Sequence, residues 1–375
     1  QNYVGSNNIN LFEPNGQFGC IDPETPVLLW SGEIERAKNI KVGDKLIGDD
    51  GECRIVSKLT DGVDEMYEVS NGNMDNYVVN SHHILTVSYS KHKSVFWKRS
   101  AWYMYYFDDA TKTVKTARTK VAKPTLPTKS SDCFEYDCLM ARAEMSEFSN
   151  TISDVNTFDI NVQQYLALPA SVKVHVKGVV NTSVIQWKEQ SLSIDPYTFG
   201  LCLGDGIGLV EDNKHVPIEY VVNSEENRLN LLAGMIDTDG CLRKQNDCYR
   251  YTISQCEKRK HLLESFRIIA GSLGFRAKIL KSTDDGMFEL SITGDNIHKI
   301  PVKLPRKQIG YQARLRNNCG VHKIEIKSIG RGAFCGWNID KNERFLLGDF
   351  TITHNTRLQG GKDSASERYI FTMLN

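Results

Sequence analysis

The chain has 375 residues, of which 40% are hydrophobic and 25% charged, as expected for a soluble globular protein with two or three domains. Its 46 basic residues balance its 46 acidic ones, which excludes a global attraction to nucleic acid, so any DNA contact must come from local patches. No apolar run approaches the length of a membrane span, and no membrane partner is expected. The ten cysteines lack the paired spacing of a zinc site, and scattered thiols predict a reducing, intracellular compartment.

Short β-type runs dominate the chain after a polar, loop-like start at residues 1–19. From Cys20 onward, β-branched and apolar residues alternate with Gly and Asp turns, and strands so short and close exclude a βαβ layout. The runs are TPVLLW (25–30), VGDKLIG (42–48), CRIVSKL (53–59), EMYEVS (65–70) and NYVVN (76–80).

Residues 91–129 mix basic and aromatic side chains, and alternation on both sides of Asp108-Asp109 predicts a hairpin. Such a mixture is also found in proteins that bind single-stranded nucleic acid. We favour a hairpin whose rings pack inward while its Lys and Arg residues face solvent.

The middle of the chain changes to helical spacing, and the end returns to β-type runs. The organisation is therefore β-rich, then mixed α/β, then β-rich, which predicts a β fold interrupted by an α/β insertion. Helices are predicted at 162–170, 195–206, 226–239 and 258–274, strands at 275–300, and β structure again after 320.

The junction around Gly19-Cys20 has the residues for an acyl transfer. A cysteine sulfur can attack the carbonyl of the preceding residue and leave a thioester in place of the peptide bond. Because Gly19 has no Cβ, it tolerates the unusual dihedrals of a strained amide. A histidine can protonate the leaving nitrogen, and His83 is our candidate for this role.

A second junction, His354-Asn355-Thr356, has the residues that would complete the reaction. The Thr356 hydroxyl can attack the thioester and take over the upstream segment. The Asn355 side-chain amide can attack its own backbone carbonyl, which cuts the chain and leaves a succinimide. His354 can protonate a leaving group or stabilise the oxyanion.

These residues resemble the splicing motifs of inteins over nearly all of 20–355. CIDPETPVLLWSG resembles the N-terminal block, VVNSHHIL the block written Thr-x-x-His, and FCGWNIDKNERFLLGDFTITHN the two C-terminal blocks. The resemblance assigns the catalytic histidine to His83 rather than His82. It implies a mainly β, horseshoe-shaped splicing domain, the Hint fold, which brings both ends of the segment into one site.

The chain departs from the intein pattern at several positions. Asn80 stands where Thr is usual, so we expect it to orient the scissile amide, and Gly336 stands where many inteins have Asp. Glu343 lies near a position often held by His. Asp340 and Asp349 are therefore alternative activators, or simply turn residues.

Two segments in the middle, TFGLCLGDG (198–206) and LAGMIDTDG (232–240), place small residues at helical spacing and end in Asp-Gly. Small residues let two helices approach closely, and the last carboxylates then suit Mg²⁺, which activates water for phosphodiester cleavage. The segments resemble the paired motifs of LAGLIDADG (DOD-type) homing endonucleases. The resemblance implies that Asp205 and Asp239 hold the metal.

The two halves of this insertion differ in length. Roughly sixty residues run from the second motif to the end of HKIP (298–301), but only about a dozen run from the first to the end of KHVP (214–217). The first repeat therefore lacks the part that would bind half of a DNA target, which predicts an inactive endonuclease. The alternative is an active enzyme that cleaves the gene without the insertion. Lys214 and Lys299 resemble basic residues near this family's active centre.

Joining the flanks across 20–355 gives NGQFG-TRLQGGKDSASERYIFTMLN, preceded by QNYVGSNNIN at the start of the chain. This joined segment resembles the cleavage domain of eukaryotic-type DNA topoisomerase II. The resemblance implies that Tyr369 attacks DNA, with Arg368 beside it binding phosphate, and that the full host uses Mg²⁺ and ATP. It places the protein in the cytoplasm or nucleus. The splicing reaction itself is expected to be intramolecular and to need no cofactor.

The expected domains follow from these resemblances. Splicing would join Gly19 to Thr356 and restore the host. The segments are the upstream flank (1–19), the first part of the splicing domain (20–190), the endonuclease-like α/β insert (191–307), the second part of the splicing domain (308–355) and the downstream flank (356–375).

Overall fold

The computed structural model describes residues 19–70, 72, 74–98, 101–118, 139–205, 214–245, 248–281, 286–310 and 320–355. No helix in these ranges has the length and apolar character needed to cross a membrane.

The described elements follow the predicted order of a β-rich part, a mixed α/β part and a second β-rich part. The strands are β1 (Pro26–Leu28), β2 (Ile34–Arg36), β3 (Lys45–Ile47), β4 (Cys53–Ser70), β5 (Tyr77–Asn80), β6 (Ile84–Tyr89), β7 (Ser94–Lys98), β8 (Ala101–Asp108), β9 (Thr113–Arg118), β10 (Phe158–Asn161), β11 (Val176–Val179), β12 (Gly240–Gln245), β13 (Cys248–Gln255), β14 (Arg276–Lys281), β15 (Phe288–Thr293), β16 (Val321–Lys323), β17 (Glu325–Ile339), β18 (Arg344–Leu346) and β19 (Ile352–His354). The helices are α1 (Ser146–Asn150), α2 (Val162–Ala167), α3 (Ala170–Lys173), α4 (Pro196–Asp205), α5 (Ile218–Val221), α6 (Glu225–Asp239) and α7 (Lys260–Ser272).

A long antiparallel ribbon joins distant parts of the chain. Strand β4 pairs with β17, from Ser70 opposite Glu325 to Val56 opposite Ile339, and β3 and β5 also pair with β4. A second sheet has the order β16-β11-β6-β19-β18, with β10 also paired to β6. Because both sheets combine strands from before and after the α/β region, the two β-rich parts of the chain fold together.

The aromatic stretch after residue 91 forms a three-stranded sheet, β7-β8-β9. The hairpin predicted around Asp108-Asp109 is the β8–β9 connection. Trp102 and Phe107 are buried, and the Phe96 and Tyr105 rings stack at 3.8 Å. The rings therefore pack against the protein, as we favoured.

The α/β region has a core of its own. Its four-stranded sheet, in the order β12-β13-β15-β14, is covered by α6 and α7. The predicted helices at 195–206, 226–239 and 258–274 are confirmed as α4, α6 and α7. The helix predicted at 162–170 is instead α2 and α3, because Pro169 has no N–H to continue a helix.

The β-rich and α/β regions are tied together by a small apolar cluster and one buried arginine. The cluster contains Trp187 and Phe350, with Ile268 of α7 packed against it. Arg228 of α6 donates to the carbonyl oxygen of Ile185 at 2.6 Å and lies over the Trp187 ring. These contacts link the core of the β-rich region to that of the α/β region.

Candidate active site

The segment that begins at Cys20 is held between two strands. Ile21 donates to the carbonyl of Cys335 at 3.0 Å and accepts from its amide at 2.9 Å, and it also bridges to Val79 of β5. This pairing leaves Cys20 only 1% exposed. Cys20 is therefore buried beside a residue that bridges to both β5 and β17.

Gly336 is the point where the two junctions meet. A Cβ built on Gly336 would lie 2.7 Å from the Cys20 sulfur and 3.5 Å from Oδ1 of Asn355. Both side chains therefore face the same small space, although they come from opposite ends of the segment. The Asp that many inteins carry here would overlap the Cys20 thiol in this arrangement.

Asn80 holds the backbone of Cys20 from both sides. Its Oδ1 accepts from the Cys20 amide at 2.8 Å, and its own amide donates to the Cys20 carbonyl at 3.0 Å. Its Nδ2 donates to Oδ2 of Asp64 at 3.1 Å. The position predicted to orient the scissile amide therefore contacts that amide directly.

His83 is fully buried beside the downstream junction. Its Nε2 lies 2.6 Å from the Thr353 hydroxyl, while Nδ1 has no hydrogen-bond partner among the described residues. Burial, with a smaller contribution from nearby His354, lowers the pKa of His83 to about 3. The ring is therefore neutral near pH 7 and has one nitrogen free to exchange a proton.

The downstream junction lies next to the strand that follows His83. His354 on β19 pairs with Ile84 of β6, and the Asn355 amide donates to the carbonyl of Glu343 at 3.0 Å. Glu343 has a positive φ of 61°, uncommon for a residue other than glycine. Burial lowers the pKa of His354, so this imidazole is also neutral near pH 7.

The Cys20 thiol is kept protonated by its surroundings. Burial raises its pKa most, and the negative potential of Cys335, Asp64 and Asp61 adds to the effect. A thiolate is the reactive form, so Cys20 needs a base at the moment of attack.

Asp340 and Asp349, the alternative activators, both accept hydrogen bonds from backbone amides. Asp340 accepts from the amide of Ile55 at 2.8 Å, and Asp349 accepts from the amides of Asp75 and Thr351, both at 2.9 Å. These bonds occupy the carboxylates in the loops around β18. Thr356, Arg368 and Tyr369 lie outside the described residues.

Two residues in contact with the site were missed from the sequence. Asp64 and Thr353 reach Asn80 and His83 only through strand pairing, β4 with β5 and β19 with β6. No spacing rule links residues so far apart. Only the TITHN string, which puts Thr353 beside His354, could have drawn attention to one of them.

Helices α4 and α6 cross with their backbones in contact. A Cβ on Gly200 would lie 2.4 Å from the carbonyl oxygen of Leu231, and one on Gly234 would lie 2.1 Å from that of Tyr197. The predicted close approach on small residues is therefore confirmed. Any larger residue at these glycines would force the helices apart.

The carboxylates at the ends of this helix pair differ in their surroundings. Asp205 is exposed, whereas Asp239 accepts from Nε2 of Gln255 at 2.6 Å. Among the described residues, no group of three or more His, Cys, Asp or Glu is placed to hold a metal. The pair alone would leave most positions of a hydrated Mg²⁺ to water or substrate.

Helices α4 and α6 each have a buried lysine that donates to carbonyls at the C-terminal end of the helix. Lys214 donates to the carbonyl of Leu203 at 3.0 Å, and Lys307 donates to that of Ile236 at 2.7 Å. Lys307, rather than Lys299, makes the contact that matches that of Lys214. Lys299 instead lines a surface cavity with Asp295.

Replacing Gly336 with alanine should displace the Cys20 thiol. The added Cβ would lie 2.7 Å from the sulfur, closer than side-chain packing allows, and Cys20 is buried with little room to move. We expect a loss of about 1–3 kcal/mol in the free energy of unfolding, as for other overpacked sites. Urea denaturation measures it, and Gly332→Ala on the same strand, where the added Cβ would meet only the Met66 side chain at 3.1 Å, controls for strand propensity.

Thr353→Val should disturb His83 without changing the shape of the site. The substitution removes the hydroxyl that lies 2.6 Å from Nε2 and leaves a buried ring nitrogen without a partner. Such a group costs about 1–3 kcal/mol, so the free energy of unfolding should fall by that amount. Thr353→Ser keeps the hydroxyl and should lose less; equal losses would show that the bond is unimportant.

Stability should depend on pH through the buried imidazole of His83. Its folded pKa of about 3 lies below the unfolded value of about 6.5, so the unfolded chain binds the proton first as pH falls. The contribution of His83 to the free energy of unfolding should be constant above pH 6.5 and fall toward pH 3 by about 1.4 kcal/mol per unit. Denaturation of His83→Gln should show a slope smaller by that amount, and an unchanged slope would contradict the assignment.

Known proteins share parts of this chain. The replicative DNA helicase DnaB of Mycobacterium intracellulare is 30% identical over 97 aligned positions, and the chain spans 17% of that protein's length and matches it over 17% of its own. Two solved structures, of the gp41-1 intein and of a substituted variant of it, each match 28% of this chain with a TM-score of 0.17. The match covers 78% of the first intein chain at 14% sequence identity and 79% of the variant at 15% identity. A profile of the Hom_end-associated Hint family matches residues 20–354. Because this match covers most of the chain, the protein belongs to the Hom_end-associated Hint family.

Proposed function

We propose that the chain excises residues 20–355 and joins Gly19 to Thr356 by protein splicing. The observation that carries this proposal is that Cys20 and Asn355 both face Gly336 in one buried site. Holding reacting groups together converts an improbable encounter into a local step. The reaction is intramolecular and uses no cofactor.

In the first step, the Cys20 sulfur attacks the Gly19 carbonyl carbon. A C–S bond forms, the C–N bond to Cys20 breaks, and the nitrogen leaves as an amine. The thiol loses one proton and the leaving nitrogen gains one, so a neutral imidazole can carry the proton between them. His83, neutral and with Nδ1 unoccupied among the described residues, suits that relay.

In the following steps, the Thr356 oxygen attacks the thioester and the Cys20 sulfur leaves. Nδ2 of Asn355 then attacks its own carbonyl, the bond to Thr356 breaks, and a succinimide forms. The freed Thr356 amine attacks the adjacent ester and yields a peptide bond. His354, which precedes Asn355, is placed by the chain itself to assist at this carbonyl.

A mass spectrum of the purified chain tests the proposal. Splicing predicts two products, the excised segment of residues 20–355 ending in a succinimide, and a peptide in which Gly19 is bonded to Thr356. An intact chain after prolonged incubation at neutral pH under reducing conditions would refute it.

We propose further that the α/β region is a LAGLIDADG endonuclease reduced to one DNA-binding half. The paired helices and their two lysines support this, as does the four-stranded sheet that follows α6. Between α4 and α6, the described residues 214–224 hold only the short helix α5. Asp205 and Asp239 would hold Mg²⁺ and activate water if DNA were bound.

A cleavage assay separates this proposal from an active endonuclease. We expect no double-strand cutting when the excised segment meets DNA that carries the uninterrupted target, with Mg²⁺ present. Efficient cutting that Asp239→Asn abolishes would support the active enzyme instead.

The flanking residues support a topoisomerase II host that stays inactive until splicing. Tyr369 would attack DNA, Arg368 would bind the adjacent phosphate, and the full host would need Mg²⁺ and ATP inside the cell. DNA relaxation by the full host with a splicing-blocked insertion tests this. Activity equal to that of the spliced protein would contradict it.

A further inference from the structure

Two hydrogen bonds, both made by the Asn80 side chain, link the carboxylate of Asp64 to the scissile amide. Strand β4 carries Asp64, and its neighbour Met66 pairs directly with Asn80 of β5. Residues two apart on a strand point to the same face, so Asp64 is a diagonal neighbour of Asn80 and within reach of its side chain. The 3.1 Å bond from Nδ2 of Asn80 to Oδ2 of Asp64 is that contact.

This contact determines which way the Asn80 amide points. A carboxylate only accepts hydrogen bonds, so Nδ2 must face Asp64 and Oδ1 must face the Cys20 amide, where it accepts at 2.8 Å. A flipped amide would set two donors against each other at Cys20 and two acceptors against each other at Asp64. The other oxygen of Asp64 accepts from the Glu65 amide at 2.7 Å, which fixes the carboxylate.

The amide so held contains the bond that the first step breaks. The Cys20 nitrogen is the leaving group, so its orientation relative to the Gly19 carbonyl governs how readily the sulfur can attack. Gly336 cannot carry an acidic side chain in this arrangement, because its Cβ position lies 2.7 Å from the Cys20 sulfur. Asp64 brings an acid to the site from the other side of Asn80.

We propose that Asp64 is a positioning residue for the first step, acting through Asn80 on the Cys20 amide. The inference rests on the proposed splicing function. Asp64 touches no reacting atom. Its effect is to keep the Asn80 carbonyl oxygen on the scissile N–H.

The test uses chains in which Asn355→Ala stops the reaction after the first steps. Cleavage by added thiol then reports how fast the thioester forms. We expect Asp64→Ala to slow this cleavage about tenfold, since a charge-assisted hydrogen bond is lost. Asp64→Asn keeps an acceptor oxygen and should lose less.

Asp61→Ala is the matched control. Asp61 lies on the same strand and also adds negative potential at Cys20, but it has no hydrogen bond to Asn80 among those of the described residues. Removing either negative charge eases ionisation of the Cys20 thiol, so slower cleavage is not the effect expected from lost charge. If Asp61→Ala slows cleavage as much as Asp64→Ala does, the loss is not specific to the contact with Asn80 and the proposal is wrong. In an Asn80→Ala background, Asp64→Ala should have no further effect, and an additive loss would also overturn the proposal.

Two measurements separate this inference from the splicing function itself. In a Cys20→Ala background, Asp64→Ala should leave release of the downstream flank unchanged, and a parallel loss there would indicate general damage. The NMR resonance of the Cys20 amide reports its hydrogen bond to Asn80 without any reaction. Asp64→Ala should shift this resonance and speed the hydrogen exchange of the amide. If added thiol does not cleave the parent chain, the splicing proposal fails. The role of Asp64 is then tested by the Cys20 amide resonance alone, and a resonance that Asp64→Ala leaves unmoved refutes it.

Discussion

Cys20→Ala should abolish ligation of Gly19 to Thr356, a loss on the order of a thousandfold or more in rate. Without the sulfur no thioester forms, and the Thr356 hydroxyl has only an unactivated amide to attack. Cyclisation of Asn355 depends on its own amide and should still release residues 356–375. Mass spectrometry should therefore show the downstream peptide without any ligated product.

Cys335→Ala is the control for thiol loss near the site. Cys335 is half-buried, one residue from Gly336, and its backbone rather than its side chain bonds to Ile21. Ligation should proceed in this variant. If Cys20→Ala splices normally, or if Cys335→Ala fails in the same way, Cys20 is not the nucleophile.

The two ends of the segment were predictable because their chemistry depends on residue type and order. A Cys after a Gly and an Asn before a Thr are local features, and the turn-separated β runs between them indicated the fold. Helices α6 and α7 were predictable because their apolar residues recur at helical spacing over several turns.

What the sequence could not give were contacts made by strand pairing. Asp64 reaches Asn80 because β4 lies beside β5, and Thr353 reaches His83 because β19 lies beside β6. Lys299 was chosen by string similarity, whereas Lys307 is placed by the path of the chain beneath α6. Gly336 could be identified as a departure from the intein pattern, but only the packing around it shows that the Cys20 thiol fills the space.

Asn355→Ala should block release of the downstream flank, again with a loss on the order of a thousandfold or more. The alanine has no nitrogen to attack the backbone carbonyl, so the bond to Thr356 stays intact and no succinimide forms. The Cys20 thioester should still form, so added thiol should cleave the chain before residue 20. Denaturing gels with and without thiol should show that cleavage, together with a segment that remains attached to residues 356–375.

Asn39→Ala provides the matched control, because Asn39 is exposed and bonds only the nearby Glu35 among the described contacts. It should splice like the parent chain. Asn355→Gln keeps the amide but must close a six-membered ring from a site fitted to the shorter side chain, where the Asn355 backbone is fixed by Glu343. We expect slow release from this variant, between the rates of the parent and of Asn355→Ala. Full release of residues 356–375 from Asn355→Ala would mean that a group other than the Asn355 amide cuts the chain. The space beside Gly336 that Asn355 shares with Cys20 would then have no part in cleavage at the downstream junction.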